Sequence, residues 1–253
     1  MKFLIDGGIL IAAYVIGSIP FGLIVVKVMS GKDIRNVASG RTGGTNAMRA
    51  AGFLAGLFTA LLDILKAAAT VWLAKAVTPN EWIHALAPIA AIVGNNWSVF
   101  LAERSPEGRL RLRGGAGGAA AGGGAFGLWS PMSLILIPVC GLIWFGVGFA
   151  SITTLSVGLL SILVFGIRAA LGTGPWEYVI YGLLAEVLMV WSLRPNIKRL
   201  IEGTERRHGL PVILQQRKAA KDKQRKTPGR NDRAGRNVRM SKEPGVVSGT
   251  AKT

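Results

Sequence analysis

Seven stretches of this sequence are apolar enough to compete for a place across a bilayer: residues 3–29, 53–77, 83–101, 114–128, 131–149, 151–171 and 176–193. A spanning helix needs roughly 20 mostly apolar residues. Half of the 253 residues are apolar, which is too much for a soluble domain of ordinary make-up. The pattern predicts an all-α, polytopic transmembrane bundle of about seven spans. The fourth stretch is the weakest, being short and dominated by glycine and alanine. The first is expected to be retained rather than cleaved as a signal peptide. Asp6 stands where a basic flank would be needed, and no clear cleavage site follows.

Charge then orients the bundle. The net charge is +17, and from Arg194 onward there are 17 Lys/Arg against 5 Asp/Glu. Positive charge marks the cytoplasmic side and attracts anionic headgroups. The chain is therefore expected to contact membrane lipids and not nucleic acid. An odd number of spans puts the N-terminus outside and the C-terminus in the cytoplasm. The segments 27–51 and 102–113, both rich in lysine or arginine, then fall inside as well. Two regions are expected: a membrane domain over 1–205, and a basic tail over 206–253. The end of that tail is poor in large apolar residues and is predicted to be disordered. The single cysteine, Cys140, falls in a predicted span and is expected to be a packing residue.

Chemistry-bearing residues concentrate in a few segments. Ser39-Gly40-Arg41-Thr42-Gly43-Gly44-Thr45-Asn46-Ala47-Met48-Arg49 is a glycine-punctuated polar loop with two arginines. Backbone N–H groups, hydroxyls and guanidinium groups at this spacing suit a phosphate, although arginines also collect on a cytoplasmic face without binding anything. Gly17-Ser18-Ile19-Pro20 predicts a kink or break in the first span. Asp63 and Lys66 stand three apart on one helical face; such a pair either neutralises itself or serves a function. The run Gly114-Gly115-Ala116-Gly117-Gly118 suits either close helix packing or an anion at a helix N-terminus, with packing favoured because the run has no lysine. The segment 194–205 reads as an interfacial helix, with Arg199 and Glu205 available to a site. His84 and His208 lack the spacing of a metal site or a catalytic triad. No metal and no cofactor are expected.

Taken in order, several motifs resemble those of the bacterial acyl-phosphate-dependent glycerol-3-phosphate acyltransferases, the PlsY family. They are Gly17-Ser18-Ile19-Pro20-x-Gly22, Asp33-Ile34-Arg35, Ser39-Gly40-x-x-Gly43-x-Thr45-Asn46-x-x-Arg49, Gly94-x-Asn96-Trp97-Ser98-Val99-Phe100, the double glycine Gly114-Gly115, and Asn196-Ile197-x-Arg199-Leu200-x-x-Gly203-Thr204-Glu205. The resemblance covers residues 17–205. It implies an integral enzyme of the bacterial inner membrane that moves an acyl group from acyl phosphate to glycerol 3-phosphate, giving lysophosphatidic acid and phosphate. It implies Ser39 and Arg49 as catalytic residues. Gly40, Gly43, Thr45, Asn46, Asn96, Gly114, Gly115, Gly117 and Asn196 are implied as substrate-binding residues. It says nothing of oligomeric state. The sequence departs from the family pattern at Asn95 and near Leu193, where the family usually has histidine, and at Ala116, where it usually has lysine. Arg111 and Arg113, in the nearby loop, are candidate replacements for that lysine. A second expectation follows from these departures: a weak or inactive paralogue that binds a phosphorylated lipid or a membrane partner.

Overall fold

The structure, a computed structural model, describes residues 2–104, 107–207, 209, 210, 212 and 214. Among them are the helices α1 (Lys2–Ser18), α2 (Phe21–Ser30), α3 (Gly44–Ala51), α4 (Phe53–Val77), α5 (Glu81–Asn96), α6 (Gly118–Leu128), α7 (Met132–Gly146), α8 (Ala150–Ala170) and α9 (Glu177–Ile201), with strands β1 (Ser98–Arg104) and β2 (Leu110–Arg113). Most of the expected basic tail, 206–253, lies outside the described residues.

Among the described residues, four segments are long and apolar enough to cross a membrane: Lys2–Ser30, Phe53–Val77, Ala150–Ala170 and Glu177–Ile201. Large apolar side chains stand exposed on their outer faces, among them Phe3, Phe58, Trp72, Leu163 and Val187. Apolar surface on this scale calls for a non-aqueous neighbour, and lipid satisfies it. Helices α5, α6 and α7 are shorter, at 16, 11 and 15 residues. At 1.5 Å per residue, α6 rises only about 17 Å, roughly half a hydrocarbon core.

The break expected in the first span is present. Helix α1 stops at Ser18 and α2 starts at Phe21, with Pro20 between them. A broken helix leaves carbonyls that must find donors. Ser98 Oγ donates to the Ser18 carbonyl at 2.6 Å, and Lys66 Nζ donates to the Ile19 carbonyl at 2.9 Å. Glycines let neighbours come close around this point. A Cβ on Gly17 would collide with the Ala91 carbonyl, and one on Gly94 with the Tyr14 carbonyl. Helices α4 and α6 approach in the same way through Gly123, set against the backbone of Ile64. The largest core side chains, Phe165, Tyr178 and Tyr181, meet edge to face where α8 packs on α9.

Three expectations need correction. The segment 83–101 is not one helix: α5 ends at Asn96, and Ser98 opens a strand. The segment 102–113 is not a plain loop, because β1 and β2 pair antiparallel with Glu103 opposite Arg111. The fold is thus mostly helical with one small hairpin. Leu110-Arg111-Leu112-Arg113 alternates with the period of a strand, whereas apolar length alone does not separate strand from helix at residues 98–101. Finally, α9 continues to Ile201, so 194–201 extends that helix and is not a separate interfacial one, even with Pro195 inside it.

Candidate active site

The loop before α3 is held by its own polar side chains. Asp33 caps a 3₁₀ turn at Ile34–Asn36, accepting from the Arg35 N–H at 2.9 Å. Arg35 Nη2 pairs with Asp33 Oδ2 at 2.7 Å, and its Nη1 with Glu103 Oε1 at 2.9 Å. Arg113 Nε lies 2.8 Å from Glu103 Oε2. This network fastens the loop to the β1–β2 hairpin. Hydrogen bonds from Arg35 hold the Asp33 carboxyl down to about 2, and the same contact raises the Arg35 guanidinium.

Asn46 organises the rest of the loop. Its buried Nδ2 is within hydrogen-bond reach of the carbonyls of Ile34, Val37 and Arg41, at 3.2, 3.0 and 2.8 Å. A nitrogen so engaged holds backbone in place, so Asn46 shapes the loop. Ser39 stands exposed between two left-handed residues, Ala38 at φ 45° and Gly40 at φ 67°. Ala38 is strained there, by about 1 kcal/mol. A Cβ on Gly40 would approach the Arg35 carbonyl to 2.9 Å. The Thr42 N–H donates to the Gly114 carbonyl at 3.2 Å, joining this loop to the glycine run.

The glycine run is in turn moulded on the end of α5. The Gly115 N–H donates to the Asn95 carbonyl at 2.7 Å. A Cβ on Gly114 would strike that same carbonyl, and one on Gly115 would lie 2.7 Å from Asn95 Nδ2. Gly117, at φ 89°, is the N-cap of α6 and leaves Asn96 just enough room. Within the run, Gly114 and Gly115 pack on Asn95. Gly117 and Gly118 open α6 beside a cavity, whereas Gly123 and Gly127 serve packing. Beyond α9, Gly203 at φ 68° turns the chain back, with the N–H groups of Thr204 and Glu205 donating to the Arg199 carbonyl. Glu205 then accepts from Ser151 Oγ at 2.5 Å and from Asn196 Nδ2 at 3.2 Å.

These segments enclose a cavity of about 690 Å³. Part of the lining is polar: Ser39, Thr45, Asn196 and Glu205, with Arg41, Arg49, Arg199 and Arg206. Another part is apolar, with Phe53, Leu57, Ile137, Cys140, Trp144 and Phe145. Burial lowers the Arg49 guanidinium from its ordinary value, with Arg206 and Arg199 adding repulsion and Glu205 opposing them. Burial also lowers Arg41, with Arg199 adding repulsion. Four guanidinium groups around one nearby carboxylate make a strongly cationic wall. A wall of this kind favours anions.

Of the residues singled out in the sequence, Ser39, Gly43, Thr45, Asn46, Arg49, Gly117 and Asn196 line the cavity. Gly40, Asn96, Gly114 and Gly115 do not; they shape the walls behind it. Asn96 Oδ1 accepts from Asn95 Nδ2 at 3.2 Å. Cys140, expected only to pack, also faces the cavity. Asn95, Ala116 and Leu193, the three departures from the family pattern, all line it too. Arg113 is engaged by Glu103 and Arg111 is exposed on the hairpin; neither lines the cavity. Arg41, one of the two arginines of the phosphate-suited loop, lines the cavity as well, although the resemblance did not imply it as a site residue.

A family model described as glycerol-3-phosphate acyltransferase matches residues 7–203. A glycerol-3-phosphate acyltransferase of Rubrobacter xylanophilus is 35% identical over 201 residues, covering 79% of this chain and 94% of its own. One from Thermus thermophilus is 37% identical over 205 residues, with the same coverage. The fold is similar to the crystal structure of PlsY, an integral membrane glycerol 3-phosphate acyltransferase. In its glycerol 3-phosphate form the TM-score is 0.69 at 28% identity, covering 83% of this chain and 98% of that one. In its lysophosphatidic acid form the TM-score is 0.67 at 26% identity, with the same coverage. From motif order to cavity wall, the chain belongs to the glycerol-3-phosphate acyltransferase family, whose solved member PlsY is an integral membrane enzyme.

Proposed function

We propose that the chain transfers a fatty acyl group from acyl phosphate to glycerol 3-phosphate, giving lysophosphatidic acid and phosphate for membrane phospholipid synthesis. The observation that carries this reading is the mixed lining of one cavity: guanidinium groups and hydroxyls together with aromatic and aliphatic side chains. Both substrates carry phosphate, and one of them also carries a long tail.

The chemistry asks little of the protein beyond placement and charge. A hydroxyl of glycerol 3-phosphate attacks the acyl carbonyl, the new C–O ester bond forms, and the bond from that carbonyl to the phosphate oxygen breaks. The hydroxyl proton leaves with phosphate. The donor is a mixed anhydride and already activated, so alignment and stabilisation of developing negative charge supply the acceleration. Arg49 neutralises that charge, Ser39 and Thr45 donate hydrogen bonds, and Asn196 is oriented by Glu205. Neither substrate calls for a metal or a cofactor.

The site belongs at the cytoplasmic edge of a multi-pass protein of the bacterial cell membrane. In support, residues from 38–49, 116–119, 150–154 and 193–206, with Asn95, converge on one cavity. These are the segments that an odd span count with a cytoplasmic C-terminus places on one side. The contacts of Lys75 with the Gly127 and Leu128 carbonyls, and of Arg168 with the Trp129 ring, gather the opposite ends.

The test is release of phosphate from palmitoyl phosphate by the purified chain in lipid, with and without glycerol 3-phosphate. The expected result is release that depends on the acceptor and is matched by lysophosphatidic acid. No acyl transfer, with glycerol 3-phosphate still bound, supports a second reading: an inactive paralogue that binds phosphorylated lipid. That reading rests on Asn95, Ala116 and Leu193 all facing the cavity.

A further inference from the structure

Arg41 has an unusual position for a cation. Its side chain lines the cavity and is half-buried. Among the described residues, no carboxylate lies within ion-pairing distance of it. Its Nη2 donates to the Ser192 carbonyl on α9, and Arg199, a second cation lining the cavity, adds repulsion. Its backbone is fixed on both sides. The Arg41 carbonyl accepts from Asn46 Nδ2 at 2.8 Å, and the next N–H, of Thr42, is tied to Gly114. A half-buried guanidinium repelled by a like charge, with one neutral carbonyl for company, is a costly arrangement. A doubly charged oxyanion between Arg41 and Arg199 removes that cost, and guanidinium groups are suited to hold it in forked geometry.

We propose that Arg41 is a substrate-binding residue that grips a phosphate of the reacting molecules together with Arg199. The inference rests on the proposed reaction for which molecule brings the phosphate, and not for the binding itself. The geometry also names the position from which another cation reaches the same place. Ser192, which anchors Arg41 through its carbonyl, has its Oγ 3.5 Å from the Gly115 carbonyl. The next residue, Ala116, lines the cavity. A lysine at 116 therefore brings a charge into the cavity that Arg41 lines.

The test measures binding of inorganic phosphate and of glycerol 3-phosphate to the full chain in detergent by calorimetry. Arg41→Ala is expected to weaken both by roughly tenfold or more, with Arg41→Lys falling between it and the wild type. The double variant Arg41→Ala/Ala116→Lys is expected to regain most of the affinity. A residue that only braces the loop against α9 would not be replaced by a lysine from another segment. Unchanged affinity in Arg41→Ala overturns the proposal, as does failure of the lysine at 116 to restore it. A wild type that binds neither probe overturns it as well. A wild type that binds phosphate but turns over no acyl phosphate fails the proposed reaction alone, and Arg41 is then judged on affinity.

Discussion

Two sets of charges lie inside this molecule, and they are balanced differently. Asp63 and Lys66, on α4, pair at 2.7 Å with both side chains buried, and Lys66 also caps the Ile19 carbonyl at the break between α1 and α2. This set is neutral within itself and holds a helix break together. The other set is Arg41, Arg49, Arg199 and Arg206 around the cavity, with Glu205 as the carboxylate among its polar lining residues beside Asp63, which Lys66 already neutralises. Charge that is neutralised within the fold is architecture. In the proposed reaction, the positive charge that the fold leaves in excess beside the cavity is neutralised by substrate phosphate.

The sharpest way to break this distinction is to unbalance the neutral set. Lys66→Ala leaves a buried carboxylate without its partner and the Ile19 carbonyl without its donor. A loss of about 3–5 kcal/mol is expected, read as a lower melting temperature by tryptophan fluorescence. The double variant Asp63→Asn/Lys66→Met should recover much of it. If Lys66→Ala melts like the wild type, the pair is not the brace described here.

The opposite behaviour is expected in the cavity. Arg49→Ala should lower turnover of palmitoyl phosphate by about 10- to 150-fold, the range for a lost hydrogen bond to a charged group. Its melting temperature without ligand should fall by less than that of Lys66→Ala, because repulsion from Arg199 and Arg206 is relieved at the same time. Undiminished activity in this variant would remove Arg49 from the site. A purely steric change lies between the two. Gly22→Ala drives a Cβ into the Thr42 carbonyl and should cost about 1–3 kcal/mol, with activity falling as the 39–49 loop moves. Full activity at an unchanged melting temperature would show that α2 and the loop shift freely.

The smallest effect concerns the loop's fastening to the hairpin. The Asp33 carboxyl is held at about 2, against an ordinary 3.8. A depressed carboxyl contributes stability above its unfolded value, and that contribution is lost as pH falls through the folded one. Asp33 is about a third exposed, so solvent screening reduces its contribution to about 1 kcal/mol. Wild-type melting should drop by more between pH 4 and 2 than that of Asp33→Asn. Parallel curves would mean that the Asp33–Arg35 contact adds nothing.

The long apolar segments and the proline break were legible because they depend on local composition and backbone chemistry. The hairpin was not, since residues 98–101 are as apolar as the helix before them; only the alternation at 110–113 signalled it. At the site, Ser39, Thr45, Arg49 and Asn196 were legible from the motifs. The division of labour behind them was not. That Gly114 and Gly115 mould themselves to Asn95, while Gly117 faces the cavity, depends on how the end of α5 meets the start of α6 in space. Arg41 was hidden for a similar reason. Its importance comes from Ser192 and Arg199, more than 150 positions away along the chain, and no spacing within the loop reports them.

The account stands most directly on whether a ligand's charge completes the cavity. The measurement is the melting temperature of the full chain in detergent, with glycerol 3-phosphate or with glycerol, for the wild type and Arg49→Ala. Binding to the folded state alone raises stability with ligand concentration. The predicted result is a rise with glycerol 3-phosphate in the wild type, a much smaller rise in Arg49→Ala, and none with glycerol in either. An equal response to glycerol, or the same rise in both proteins, would contradict it.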